Sequence, residues 1–102
     1  MVNTKEDIIQ KLLLHKETLR SFKIDRIGLF GSFKDGTNND KSDIDLLVEF
    51  ERGKKTFKNY TGTYLFLKDI LKREIDFLTL ESLSPYIGPH ILKAVEYVSF
   101  NN

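Results

Sequence analysis

The chain has 102 residues, 40% hydrophobic and 30% charged, a composition that suits one folded domain over residues 1–102. Its formal net charge of +1 gives no bulk attraction to nucleic acid, so direct nucleic-acid binding is not expected. With no cysteine there are no disulfides and no thiolate metal centres. No apolar run reaches the roughly 18 residues of a membrane span, and the first residues lack the apolar stretch of a signal peptide, so the expected location is the cytoplasm.

The stretch TKEDIIQKLLLHKETLR (4–20) places Ile8, Leu12, His15 and Leu19 at helical spacing, and Ile9 and Leu13 widen the stripe. Asn3 or Thr4 suits the cap, with Glu6 and Asp7 in the first turn. The apolar DRIGLF (25–30) predicts a short strand, followed at once by the polar loop GSFKDGTNNDKS (31–42). DIDLLVEF (43–50) is the clearest strand. Asp43, Asp45 and Leu47 share one side, and Ile44, Leu46 and Val48 the other.

TFKNYTGTYLFLKDILKR (56–73) predicts a second long helix. Tyr60, Tyr64, Leu67 and Leu71, with Phe57 and Leu65, are expected on its inner face, and Gly62 moves the expected onset toward Thr61 or Thr63. Residues 75–78 predict a third strand, and 81–86 a turn or a single helical turn. Pro89 opens a predicted last helix with Ile91, Leu92, Val95 and Val98 facing inward. The alternation predicts an α/β (α+β) domain with a small, mixed β-sheet flanked by helices.

Asp43 and Asp45 stand at i and i+2, so on a strand their carboxylates point the same way. Asp45 interrupts a run otherwise ready for burial, and a buried carboxylate needs a partner or a metal. Asp76 lies inside EIDFLTL (74–80), again among apolar neighbours. If its strand pairs beside 43–50, all three acids reach one face. Such convergence makes sense around a cation, and oxygen-only ligands suit Mg²⁺ with phosphate oxygens completing the shell. Gly31 permits close backbone approach, and Ser32 offers a hydroxyl where a helix could open toward phosphate. Neither the GxxxxGK[ST] loop nor the GxGxxG fingerprint is present.

Leu29-Phe30-Gly31-Ser32, then Gly36, then Ser42-Asp43-Ile44-Asp45-Leu46, then Ile75-Asp76 resembles the minimal nucleotidyltransferase domain of the DNA polymerase beta superfamily. Within it the chain resembles the small MntA-type antitoxins that pair with HEPN-domain toxins. The resemblance extends from the first helix to SPYIGPHILKAVEYV (84–98). It implies the nucleotidyltransferase fold, ATP as donor and a pair of Mg²⁺ ions. By position, Gly31 and Ser32 would grip the triphosphate. Asp43 and Asp45 would bridge the metals, and Asp76 would complete the site of attack.

The resemblance further implies transfer of AMP to a tyrosine hydroxyl of a HEPN-domain toxin. Binding-only neutralisation, or transfer to a small molecule or RNA with another subunit, stays open, as does a homo-oligomer. One departure stands out. In the family's GSxARG pattern an arginine precedes the second glycine, whereas this chain has Asp35, with Lys34 one position earlier as the candidate cation. Asp35 is expected to face solvent. Ser42 is a further candidate beside the nucleotide, though a loop-capping role suits it equally.

Overall fold

A computed structural model describes residues 2–100. The chain runs α1 (Lys5–Leu14), α2 (Lys16–Ser21), β1 (Ile24–Phe30), α3 (Gly31–Asp35), β2 (Ile44–Phe50), α4 (Phe57–Leu71), β3 (Ile75–Thr79), a 3₁₀ turn (Leu80–Ser82), α5 (Gly88–Ala94) and β4 (Glu96–Ser99). The strands form one sheet in the order β3-β2-β1-β4. β1 pairs antiparallel with β2 and β4, and β2 pairs parallel with β3, so the sheet is mixed as expected.

Thr4 opens α1 with a capping box. Asp7 N–H donates to Thr4 Oγ1 at 3.1 Å, and Thr4 N–H donates to Asp7 Oδ2 at 3.2 Å. The expected single first helix is two helices. His15 leaves helical geometry at φ −103° and ψ 23°, where its ring meets Phe66 edge-on at 5.5 Å. The break still lets Ile8, Leu12 and Leu19 all enter the core.

Two expectations for α4 fail. Its onset is Phe57 because Thr56 caps it, with Asn59 N–H donating to Thr56 Oγ1 at 3.1 Å. Gly62 does not delay the helix; it admits Phe22, whose Cε1 lies 2.5 Å from where a Cβ would stand. Phe57 and Leu65 face solvent, while Thr63, Leu67, Ile70 and Leu71 face inward. Tyr60 and Tyr64 meet Phe77 edge-on at 5.0 and 5.8 Å.

The largest correction is at the C-terminal end. The last helix stops at Ala94, and Val98 is buried on a strand, paired with Ile27 of β1. Val95 and Val98 fit a helical stripe, but VEYVSF (95–100) is also rich in β-branched and aromatic residues. The open edge of β1 decides between the two readings, because pairing there satisfies backbone groups that a longer helix would leave exposed. Leu92, expected to face inward, is exposed.

One face of the sheet carries Ile27, Leu29, Ile44, Leu46, Val48, Ile75 and Val98 into a core with Ile8, Leu12, Leu19, Leu67 and Leu71. Each such side chain contributes about 1.5–3 kcal/mol on burial. The opposite face carries Gly28, Asp45, Leu47, Glu49, Asp76 and Tyr97. Val95 covers Gly28 so closely that a Cβ there would stand 2.2 Å from Val95 Cγ2.

Candidate active site

The register explains why two acids from distant segments meet. Asp45 of β2 pairs with Phe30 of β1 on one side and with Asp76 of β3 on the other. Parallel strands in register bring Asp45 and Asp76 to the same face as neighbours. Asp43 stands exposed just before β2, close enough for its charge to act on Asp45.

The Asp45 carboxyl is pushed up to about 6, first by burial and then by the charge and hydrogen bonding of Asp76, with Asp43 adding to the same direction. None of these three acids forms an ion pair among the described residues, whereas Glu49, Glu74, Glu81 and Glu96 each do. The site therefore holds uncompensated negative charge next to a nonpolar strand core.

Phe30 ends β1 and Gly31 begins α3 at φ 74°, a left-handed conformation that glycine adopts without strain. A Cβ on Gly31 would lie 2.0 Å from Asp45 Oδ2. Glycine is thus required twice over: for the backbone turn, and for the space beside the carboxylate. Ser32 follows in the first turn of α3 and is half-buried. Phe33 is fully buried and anchors this short helix to the core. Gly36 closes it at φ 78°, with Thr37 N–H donating to Ser32 O at 2.9 Å.

Lys34 is half-buried, its Nζ 3.8 Å from Asp35 Oδ1. Asp35 is exposed as expected. Ser42 closes a loop: Asn39 N–H donates to Ser42 Oγ at 2.9 Å, and Ser42 N–H donates to Asn39 O at 3.1 Å. His90 and Lys41 are exposed. Arg73, which no motif singles out, donates to three carbonyls of the loop before Asp43.

At the other end of the same face, Arg26 Nε donates to Glu49 Oε1 at 3.1 Å, and the guanidinium lies 3.6 Å above the Tyr97 ring. Burial and neighbouring Glu49 push the Tyr97 hydroxyl up to about 12. That end of the face is internally compensated, and the Asp45–Asp76 end is not.

Among the described residues, no three or more His, Cys, Asp or Glu side chains stand close enough to hold a metal ion by themselves. The donor set at the open end is nonetheless all oxygen, and Mg²⁺ commonly takes only one or two carboxylates, with water and phosphate oxygens filling its octahedron. Asp45 Oδ2 stands where a Gly31 side chain would be, and this all-oxygen donor set fits such an ion.

These features define a mixed-sheet α/β protein with an uncompensated acidic pair beside a glycine-opened helix. Residues 12–98 match the nucleotidyltransferase domain family, and the chain belongs to it. Membership of that family implies use of a nucleotide and Mg²⁺. A Methanocaldococcus jannaschii protein, named provisionally as a protein adenylyltransferase, is 34% identical over 100 residues, covering 95% of this chain and 100% of that protein. The protein adenylyltransferase MntA of Thermococcus cleftensis is 34% identical over 96 residues, covering 93% of this chain and 96% of that protein. A crystal structure of a toxin–antitoxin with AMP-PNP includes a chain with the same fold at TM-score 0.68 and 24% identity, covering 87% of this chain and 70% of that one. No helix among the described residues is long and apolar enough to cross a membrane.

Proposed function

We propose that this chain is a Mg²⁺-dependent protein adenylyltransferase that moves AMP from ATP to a tyrosine hydroxyl of a HEPN-domain toxin and so acts as its antitoxin. The observation that carries the reading is the uncompensated Asp45–Asp76 pair lying against Gly31. Acids held together at a cost to the fold point to a cation-dependent site. The adenylyltransferase names of the two relatives support the donor and the protein acceptor. The toxin–antitoxin crystal structure supports the kind of partner.

In this reading Asp43 and Asp45 hold the divalent ions, and Asp76 completes the site of attack. Bound Mg²⁺ supplies charge stabilisation for the triphosphate and for the attacking oxygen. Gly31 and Ser32 bind the β- and γ-phosphates through backbone N–H groups and the Ser32 hydroxyl. Lys34 adds positive charge, and Ser42 shapes the loop beside Asp43. The tyrosine oxygen attacks the α-phosphorus, and a new O–P bond forms. The bond from that phosphorus to the β-phosphate bridge breaks, and diphosphate leaves. Asp76 orients the hydroxyl and is placed to accept its proton.

A binding-only antitoxin is favoured by one observation: Tyr86, Ile87 and Leu92 are large hydrophobic residues left exposed around the start of α5. Incubation with α-labelled ATP, Mg²⁺ and a HEPN-domain toxin as candidate partner separates the two readings. Mass spectrometry should find an AMP adduct on a tyrosine of that protein. A tight complex without any adduct would establish the binding-only reading instead.

A further inference from the structure

Arg73 stands between the elements that carry the acids. It follows Lys72, which ends α4 in the left-handed region at φ 56° and ψ 33°. Its Nη2 donates to the carbonyls of Asn39 at 3.0 Å, Asp40 at 3.1 Å and Ser42 at 3.0 Å. One nitrogen carries two hydrogens, so three acceptors share them. The guanidinium carbon lies 5.0 Å from the ring centre of Phe33 in α3. The next residue continues the tie, since Ile44 N–H donates to Glu74 O at 3.0 Å.

One side chain thus contacts the helix that opens with Gly31 and Ser32, the loop that delivers Asp43, and the approach to Asp76. The loop needs an external anchor. Its own bonds, such as Lys41 N–H to Asn39 Oδ1 at 2.8 Å, fix its shape but not its place. Asn38 Nδ2 ties the near end by donating to Asn3 O at 2.9 Å. Arg73 ties the far end, where Asp43 begins.

We propose that Arg73 is a positioning residue for nucleotidyl transfer, holding Asp43 in register with Asp45 and Asp76 without touching substrate. The proposal rests on the reading of these acids as cation ligands. Lysine does not replace arginine here, because a compact ammonium group lacks the planar face that lies over Phe33.

The test compares the full chain with Arg73→Gln and Arg73→Lys, the second keeping the charge so that folding is preserved. Backbone hydrogen exchange is read over residues 39–43. Mn²⁺ affinity is read by titration, with and without a non-hydrolysable ATP analogue. Losing this charged donor should speed exchange at Lys41 and Ser42 about tenfold or more, with β1 and β2 amides unchanged, and should weaken Mn²⁺ binding about tenfold. Unchanged loop exchange would overturn the proposal. So would a loosened loop with unaltered Mn²⁺ affinity. Failure of the unsubstituted chain to bind Mn²⁺ with nucleotide would overturn the adenylyltransferase reading, and the positioning role with it, and is recognised because it precedes any substitution.

Discussion

Replacing Asp45 with asparagine should stabilise the metal-free protein while removing its activity. The carboxyl rises from the ordinary 3.8 to about 6 in the fold. At about 1.4 kcal/mol per pH unit, ionising it in place costs up to about 3 kcal/mol relative to the unfolded chain. Partial exposure and solvent screening reduce this to about 1–2 kcal/mol. Because the folded-state value is raised, the folded protein holds an extra proton between about pH 4 and 6. Stability from this group therefore falls as pH rises through that window. The penalty is absent below about pH 4 and complete above about pH 6. Asparagine keeps the shape and discards the charge. In EDTA at pH 8, Asp45→Asn should melt about 4–16 °C above the unsubstituted chain, at about 4–8 °C per kcal/mol for a domain of this size. At pH 3.5 the two should melt together. Adding Mg²⁺ and an ATP analogue should stabilise only the unsubstituted chain, by about 2.7 kcal/mol at a hundredfold excess over Kd. Equal melting at pH 8, or the same offset at both pH values, would refute the claim that Asp45 stores unfavourable charge.

Gly31→Ala should lower stability by about 1–2 kcal/mol for the left-handed backbone alone, and chemical denaturation at pH 7 would measure it. Its Cβ would also displace the Asp45 carboxylate, so nucleotide binding should fall by more than the stability change explains; unchanged binding would contradict the close approach. Asp35→Arg restores the cation of the GSxARG pattern and removes a carboxylate paired with Lys34. Calorimetric titration of an ATP analogue should show affinity rising about two- to tenfold, and no gain would separate this position from the triphosphate.

The acids and the glycine were legible because each breaks a local rule. Asp45 and Asp76 are charges in apolar strands, and Gly31 follows a strand with no room for a longer turn. The mixed sheet followed from alternation and from the short link between β1 and β2. What stayed hidden depended on contacts far apart in the chain. Arg73 acts on carbonyls 31 to 34 positions away, through a left-handed turn at Lys72 that no local signal announces. β4 was hidden because Val95 and Val98 fall at helical spacing, whereas in the fold Val95 covers Gly28 on one face of the sheet and Val98 enters the core on the other, and the free edge of β1 makes the choice. The α4 onset was misplaced because Gly62 reads as a helix breaker, while its real use is to admit Phe22.

In the proposed function, Asp43 and Asp45 are required for transfer rather than for partner binding. The direct measurement is label transfer from α-labelled ATP to the HEPN partner, comparing the unsubstituted chain with the Asp43→Asn, Asp45→Asn double variant at matched complex formation. The first should label the partner and the second should leave no label above background, while both form the complex. Transfer by the double variant at an undiminished rate would contradict it.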